Sequence, residues 1–137
     1  MSEDIRSYNV GSSDYAKHKI QPWDIWLEYN LNPWEADIVK RILRRKEGQS
    51  RREDLEKIIH ISHECIRQID AGEYFTYNGN YMHNIKLCDI LSEYKLNMLE
   101  SDIVYFITQN KAGKSRRKDF EKIIYAANEL IRQIDEK

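Results

Sequence analysis

The chain has 137 residues, enough for one compact domain or for two small halves that share a core. A 41% hydrophobic share supports such a core, while 33% charged residues and a net charge of −1 give a solvated surface with no global field, so an anionic partner has to be argued from local clustering. No apolar run approaches the roughly 18 residues of a membrane span, and Met1-Ser2-Glu3-Asp4 lacks the basic and apolar regions of a signal peptide, so the expectation is a globular protein of the cytoplasm without membrane contact.

Residues 1–13 read as an N-terminal arm. The first helix is expected near 22–30, because Pro22 in its first turn has the φ a helix start needs and no N–H to waste. Asn32 then reads as an N-cap with Pro33 at the first helical position and Glu35 at N3, opening a helix that runs until Gly48. Trp34, Ile38 and Ile42 follow at four-residue steps, the spacing of one buried helix face. Ser50 followed by Glu53 reads as a capping box for a long helix, about 51–70, that Ala71-Gly72 ends. Leu55, Ile58, Ile59, Ser62, Ile66 and Ile69 line one of its faces.

Residues 71–78 read as a connector, after which the same pattern returns. A shift of 65 lays Asp24–Asp70 on Asp89–Asp135 without a gap, and 27 of the 47 aligned pairs are identical. Chance does not produce that, and the copies are set at 14–70 and 79–135. Asn97 and Glu100 repeat the cap, Gly113 repeats the stop, and Ser115 opens a twin long helix, about 116–135, in which Lys118 breaks the box. No strand alternation competes, so the fold class is all-α: a tandem repeat of a three-helix unit. Each long helix carries an apolar stripe that only its twin is large enough to cover, which predicts a pseudo-twofold bundle with a four-helix core.

The strongest chemical signal is Lys40, Arg41, Arg44, Arg45, Lys46, Arg51 and Arg52, seven bases in thirteen positions opposed by Glu47 alone, a local charge of +6. Guanidinium forks suit bidentate contacts to phosphate, and Arg51 and Arg52 fall at a helix start, where unpaired N–H groups and the dipole also favour an anion. A solvated basic face balanced by Glu53, Asp54 and Glu56 is the alternative. In the second copy Lys40, Arg41, Arg44 and Arg45 become Tyr105, Phe106, Gln109 and Asn110, and the charge over the same stretch falls to +4. Either that site has decayed into a structural partner, or its aromatic pair offers a surface for stacking a base. His18 and His83 share a position just before the first helix of each copy, where a histidine beside basic residues binds phosphate, moves a proton, or simply packs.

Other motifs carry less. Ala112-Gly113-Lys114-Ser115 ends like a phosphate-binding P-loop, but Thr108 stands where that motif needs glycine, and no strand precedes it. His60, His63 and Glu64 have metal-ligand spacing on a helix, yet the second copy has Tyr125, Asn128 and Glu129 there, which excludes a site common to both copies. Glu53-x-x-Glu56 resembles the carboxylate pairs of all-α pyrophosphohydrolases but lacks the second acidic pair. No Ser–His–Asp or Cys–His nucleophile is defensible from spacing. Cys65 and Cys88 occupy non-equivalent positions, which points to free thiols. The expectation is therefore no metal and no cofactor.

Tyr15, Lys17-His18, Pro22 and Asp24, then Lys40, Arg44 and Lys46, and finally Asp54-Leu55 with Lys57 follow the order and spacing of a known motif over about 45 residues of copy one. That stretch resembles the SaV-like family of small tailed-phage proteins, described as nucleotide kinases. Ala36-Asp37 stand where the family has Gly-Asn, Arg41 where it has tyrosine, and Ile58 where it has alanine. Copy two keeps Asp119, Lys122, Lys111 and the apolar frame. The resemblance implies a phage origin, the host cytoplasm, and phosphoryl transfer between nucleotides without a P-loop, with Lys40, Arg44, Lys46, Asp54 and Lys57 as matched positions. The functional expectation is a binder of a nucleotide or other phosphorylated small molecule, whose grip comes from Lys40, Arg41, Arg44, Arg45, Lys46, Arg51, Arg52, Lys57 and His18. The alternative is a non-enzymatic module, either a nucleic-acid binder or a counter-defence protein that sequesters a nucleotide signal or a host protein. A homo-oligomer is compatible with both.

Overall fold

The computed structural model describes residues 19–44, 48–76, 85–109 and 113–137. Those residues form six α-helices and no strand: α1 (Pro22–Glu28), α2 (Pro33–Leu43), α3 (Gly48–Asp70), α4 (Leu87–Tyr94), α5 (Met98–Ile107) and α6 (Gly113–Asp135). The chain is all-helical as far as it is described, and no described helix is long and apolar enough to cross a membrane.

Cap chemistry decides where the short helices start. Asn32 Oδ1 accepts from the Glu35 N–H at 2.8 Å while the Glu35 carboxylate accepts from the Asn32 N–H at 2.9 Å, so two of the orphan donors of α2 are satisfied reciprocally. Asn97 and Glu100 do the same for α5 at 3.0 and 2.9 Å. Pro22 stands at the start of α1, where the residue before it, Gln21, donates its N–H to the Asp24 carboxylate at 2.8 Å.

Two boundaries differ from the sequence reading in each half, since α5 ends at Ile107 ahead of Gly113 and α6 begins at Gly113 with Ser115 inside it, as α2 and α3 do in the first half. Helix α2 ends at Leu43 and not at Gly48, because Arg44 leaves the helical region at φ −78° and ψ 95°. Helix α3 begins at Gly48, whose φ of 58° suits a residue without Cβ, so Ser50 lies inside the first turn and does not precede it.

The two long helices, α3 and α6, make the most extensive packing in the molecule, with α2 laid on α3 and α5 on α6. Arg52 of α3 forks onto the Asp135 carboxylate at 2.9 and 3.0 Å, and Arg117 of α6 forks onto Asp70 at 2.9 and 3.1 Å. Each start thus meets the other's end, and the long helices run antiparallel. Ile25, Ile38, Ile42, Leu55, Ile58, Ile90, Ile103, Ile107, Phe120 and Ile123 are fully buried, drawn from all six helices. At about 1.5–3 kcal/mol for each such side chain removed from water, this shared core outweighs every exposed ion pair in the molecule.

Contacts between the copies come in exchanged sets. Tyr29 Oη donates to the Ile85 carbonyl at 2.9 Å, and Tyr94 Oη donates to the Ile20 carbonyl at 2.7 Å. Arg51 reaches Glu100 in the other half, and Arg116 reaches Glu35. The connector is tied to the first half, where Asn32 Nδ2 donates to the Phe75 carbonyl at 2.9 Å and the Phe75 ring meets Trp34 edge-on at 6.4 Å, and to α6, where the Tyr74 ring meets Phe120 edge-on at 5.8 Å.

Candidate functional site

The basic stretch of copy one straddles the passage from α2 to α3, and the fold assigns its members to different work. Arg51, at 7% exposure, is buried. Its guanidinium donates to the Arg41 and Ile42 carbonyls, each at 3.1 Å, and to the Glu100 carboxylate. Those carbonyls are among the last of α2, where the Arg41 carbonyl otherwise takes the C-cap Arg44 N–H at 3.4 Å. Arg51 thus closes the C-terminus of α2 and ties it to α5. Arg52 gives its donors to Asp135 and Glu56, and the hydrogen bonds to Asp135 raise its pKa above the usual arginine range.

Three described members remain at the surface of the junction. Lys40 is exposed on α2, Arg41 follows it directly, and Arg44 lies one helical turn beyond Lys40. Arg41 Nη1 donates to Asp54 Oδ1 at 3.2 Å, and Arg44 Nη1 lies 3.4 Å from that same oxygen. Their side chains keep 17% and 29% exposure, and Arg41 Nε also lies 3.0 Å from Asp37. Asp54 is 4% exposed, and its other oxygen, Oδ2, is buried with no hydrogen-bond partner. Lys57, exposed, follows on α3 one turn beyond Asp54. Arg45, Lys46 and His18 lie outside the described residues, as do Glu47 and His83.

Copy two uses the same positions otherwise. Asp119, buried, takes Arg116 Nη1 at 3.2 Å, because Phe106 and Gln109 have replaced the two arginines that its counterpart holds. Lys122, the counterpart of Lys57, places its ammonium 5.3 Å from the centre of the Phe106 ring, a cation–π contact. Tyr105 stands edge-on to Phe106 at 5.3 Å and is 43% exposed. Comparison with family models, curated proteins and solved structures found no match to this chain.

A buried polar network that the sequence reading did not anticipate lies beside the connector. Arg116, fully buried, donates to Glu35 at 2.6 Å, to the Phe106 and Ile107 carbonyls at 2.7 and 2.9 Å, and meets Tyr74 Oη at 3.3 Å; Tyr74 donates its hydroxyl to Glu35. Burial works against the Arg116 charge, but Glu35 and Tyr74 outweigh it and hold the guanidinium protonated. Burial and the Glu35 charge push the Tyr74 phenol well above its ordinary value. Burial, and then Glu35, push the neighbouring Cys65 thiol up to about 12. A usable signal was present: Glu35 and Arg51 both recur unchanged after the 65-residue shift, as Glu100 and Arg116. Glutamate was read as a cap, and its second oxygen was not assigned.

The histidine face of α3 is taken apart in the same way. His60 and His63 are exposed, and Glu64 is drawn to Arg67 at 2.9 and 3.0 Å and to Gln68 at 2.8 Å, which lowers its pKa to about 2. Among the described residues no group of three His, Cys, Asp or Glu converges as metal ligands would.

Proposed function

We propose that the chain binds a nucleotide or another phosphorylated small molecule through a terminal phosphate at the junction of α2 and α3 in copy one. The observation that carries this is a paired arginine set held by a buried aspartate: Asp54 fixes Arg41 and Arg44 side by side while leaving both partly exposed, and copy two lacks both arginines. A preorganised pair of forks loses little side-chain freedom when it meets an oxyanion, and each charge-assisted contact is worth about 1.5–3 kcal/mol. Lys40 and Lys57 add positive charge on the two helices that form the junction.

The sequence repeat and the exchanged contacts support reading the whole as a pseudo-twofold bundle, a duplicated unit of the SaV-like phage type acting in a host cytoplasm. In it copy one keeps the ligand site and copy two serves as its structural partner. Phosphoryl transfer is what the resemblance adds to this reading. A small ligand is favoured over a nucleic-acid strand because the described arginines do not form an open stripe. Arg51, Arg52, Arg67, Arg116, Arg117 and Arg132 all have carboxylate partners within the chain.

A second reading, a counter-defence module that docks on a host protein, is favoured by one observation. Copy two exposes Met98 at 79% and Tyr125 at 71%, where copy one has Pro33 and His60. The two readings separate in one experiment. Arg44→Gln keeps a donor for Asp54 and removes the charge, and it is expected to weaken binding of a nucleoside monophosphate by roughly tenfold or more, with the melting temperature nearly unchanged. Gln109→Ala in copy two is expected to leave that binding as it was. Equal, small effects from both variants in calorimetric titrations would remove the phosphate reading and leave the docking module.

A further inference from the structure

The unsatisfied oxygen of Asp54 narrows the kind of phosphate the junction accepts, an inference that rests on the phosphate-binding reading. A carboxylate oxygen buried without a donor is costly, and native structures seldom keep one without use. Asp54 Oδ1 already serves Arg41 and Arg44, while Oδ2 has no partner although the residue is 96% removed from solvent at 4% exposure. What Oδ2 lacks is a hydrogen-bond donor, and it lies beside two guanidiniums that prefer an anion, one of which, Arg41, has its own Nε without a hydrogen-bond partner. Few chemical groups offer both. A sulfate is fully ionised at neutral pH and has no proton to give. A phosphodiester, as in a nucleic-acid backbone or a cyclic dinucleotide, has one negative charge and no P–OH. A phosphomonoester or inorganic phosphate still exchanges its second proton near pH 6–7, with a second pKa of about 6 for the ester, and presents oxyanions and a P–OH on one atom.

We propose that Asp54 Oδ2 accepts a hydrogen bond from the P–OH of a monoprotonated phosphate whose other oxygens are held by Arg41 and Arg44, so that the junction selects phosphomonoesters and free phosphate against sulfate and phosphodiesters. Charge balance agrees with this. Arg41 and Arg44 are offset by Asp37 and Asp54, so the paired side chains carry little net charge and a donor is as valuable as an anion. Arg44 makes the longer of the two contacts to Asp54 and stands at the C-cap of α2, so its fork meets the phosphate from the end of that helix.

The test uses the full chain and titration calorimetry with inorganic phosphate, sulfate, a nucleoside 5′-monophosphate and the methyl diester of that nucleotide. The expected result is that phosphate and the monoester bind at least roughly tenfold tighter than sulfate and the diester, the ratio set by one charge-assisted hydrogen bond. Asp54→Asn, whose amide donates where the carboxylate accepted, is expected to bring sulfate and the diester level with phosphate. Binding of all four ligands with equal affinity by the unaltered chain would overturn the selectivity while leaving the phosphate site standing. No binding of any of them would end both. If Asp54→Asn does not fold, the comparison on the unaltered chain decides alone.

Discussion

A buried arginine is stable only where every N–H finds an acceptor, and Arg51 and Arg116 each find a glutamate from the other half together with carbonyls at a helix end. Removing one partner leaves an uncompensated buried charge, a loss of about 3–5 kcal/mol, whereas replacing the pair by apolar groups of similar volume is near neutral. Arg51→Met is therefore expected to lower the urea midpoint sharply, and Arg51→Met with Glu100→Leu to recover most of the loss. A double variant no better than the single one would show that the carbonyl contacts, and not the pair, carry the stability. The cysteines give a second residue-scale outcome. Cys65 is buried with its thiol pushed up to about 12, and Cys88 is exposed, so a thiol reagent at pH 8 should label one cysteine in the native chain and two in urea. These details mark how far the sequence could be read at the site. The basic stretch was visible as a run, but a run cannot tell Arg44, at the surface, from Arg51, whose side chain turns inward to close α2. That distinction depends on where α2 ends, and it ends at Leu43, five residues before the glycine that seemed to stop it.

At the scale of the element, the legible parts were those written locally. Asn32-Pro33-x-Glu35 and Asn97-x-x-Glu100 name their helix starts because the cap and the N3 carboxylate lie within one turn, and both form as read. The spacing of Ile38 and Ile42, or of Leu55, Ile58 and Ser62, gave the buried faces correctly, with Cys65 as a buried member the pattern passed over. Ser50 was misplaced because Gly48, at φ 58°, starts the helix two residues earlier, a conformation that no periodicity reveals. The two caps also differ in a way only the fold shows, since Asn32 holds the connector through the Phe75 carbonyl as well as capping α2. Asn97→Ala should cost the usual cap contribution of about 1 kcal/mol. Asn32→Ala should cost more, because the hydrogen bond to the connector is lost too. Equal midpoints in denaturant for the two variants would mean the connector contact contributes nothing.

Across the whole molecule, the ends of the two long helices are pinned by exposed charge. The Arg117 hydrogen bonds hold Asp70 below the ordinary carboxylate range, and those of Arg52 do the same for Asp135. Arg132 lowers Glu129, and Arg67 with Gln68 brings Glu64 from 4.5 to about 2. For a depressed carboxylate the sign is fixed: its contribution is complete above the unfolded value and is lost as pH falls through the folded one. The window for Glu64 runs from about 4.5 down to about 2, and the other three begin to lose theirs in the same acid range. All four groups are exposed, so water and salt screen them and each contributes little alone. They act in concert only because two of them join the halves, Asp70 to α6 and Asp135 to α3. The melting temperature is thus expected to stay level at mild pH, to fall as pH drops from 4.5 toward 2, and to fall less steeply in high salt. Arg52→Gln with Arg117→Gln removes the two exposed ion-pair links between the halves, so it should lower the mild-pH melting temperature slightly and flatten the acid slope correspondingly. An acid slope in the double variant as steep as in the unaltered chain would place the acid sensitivity outside the Asp70–Arg117 and Asp135–Arg52 pairs.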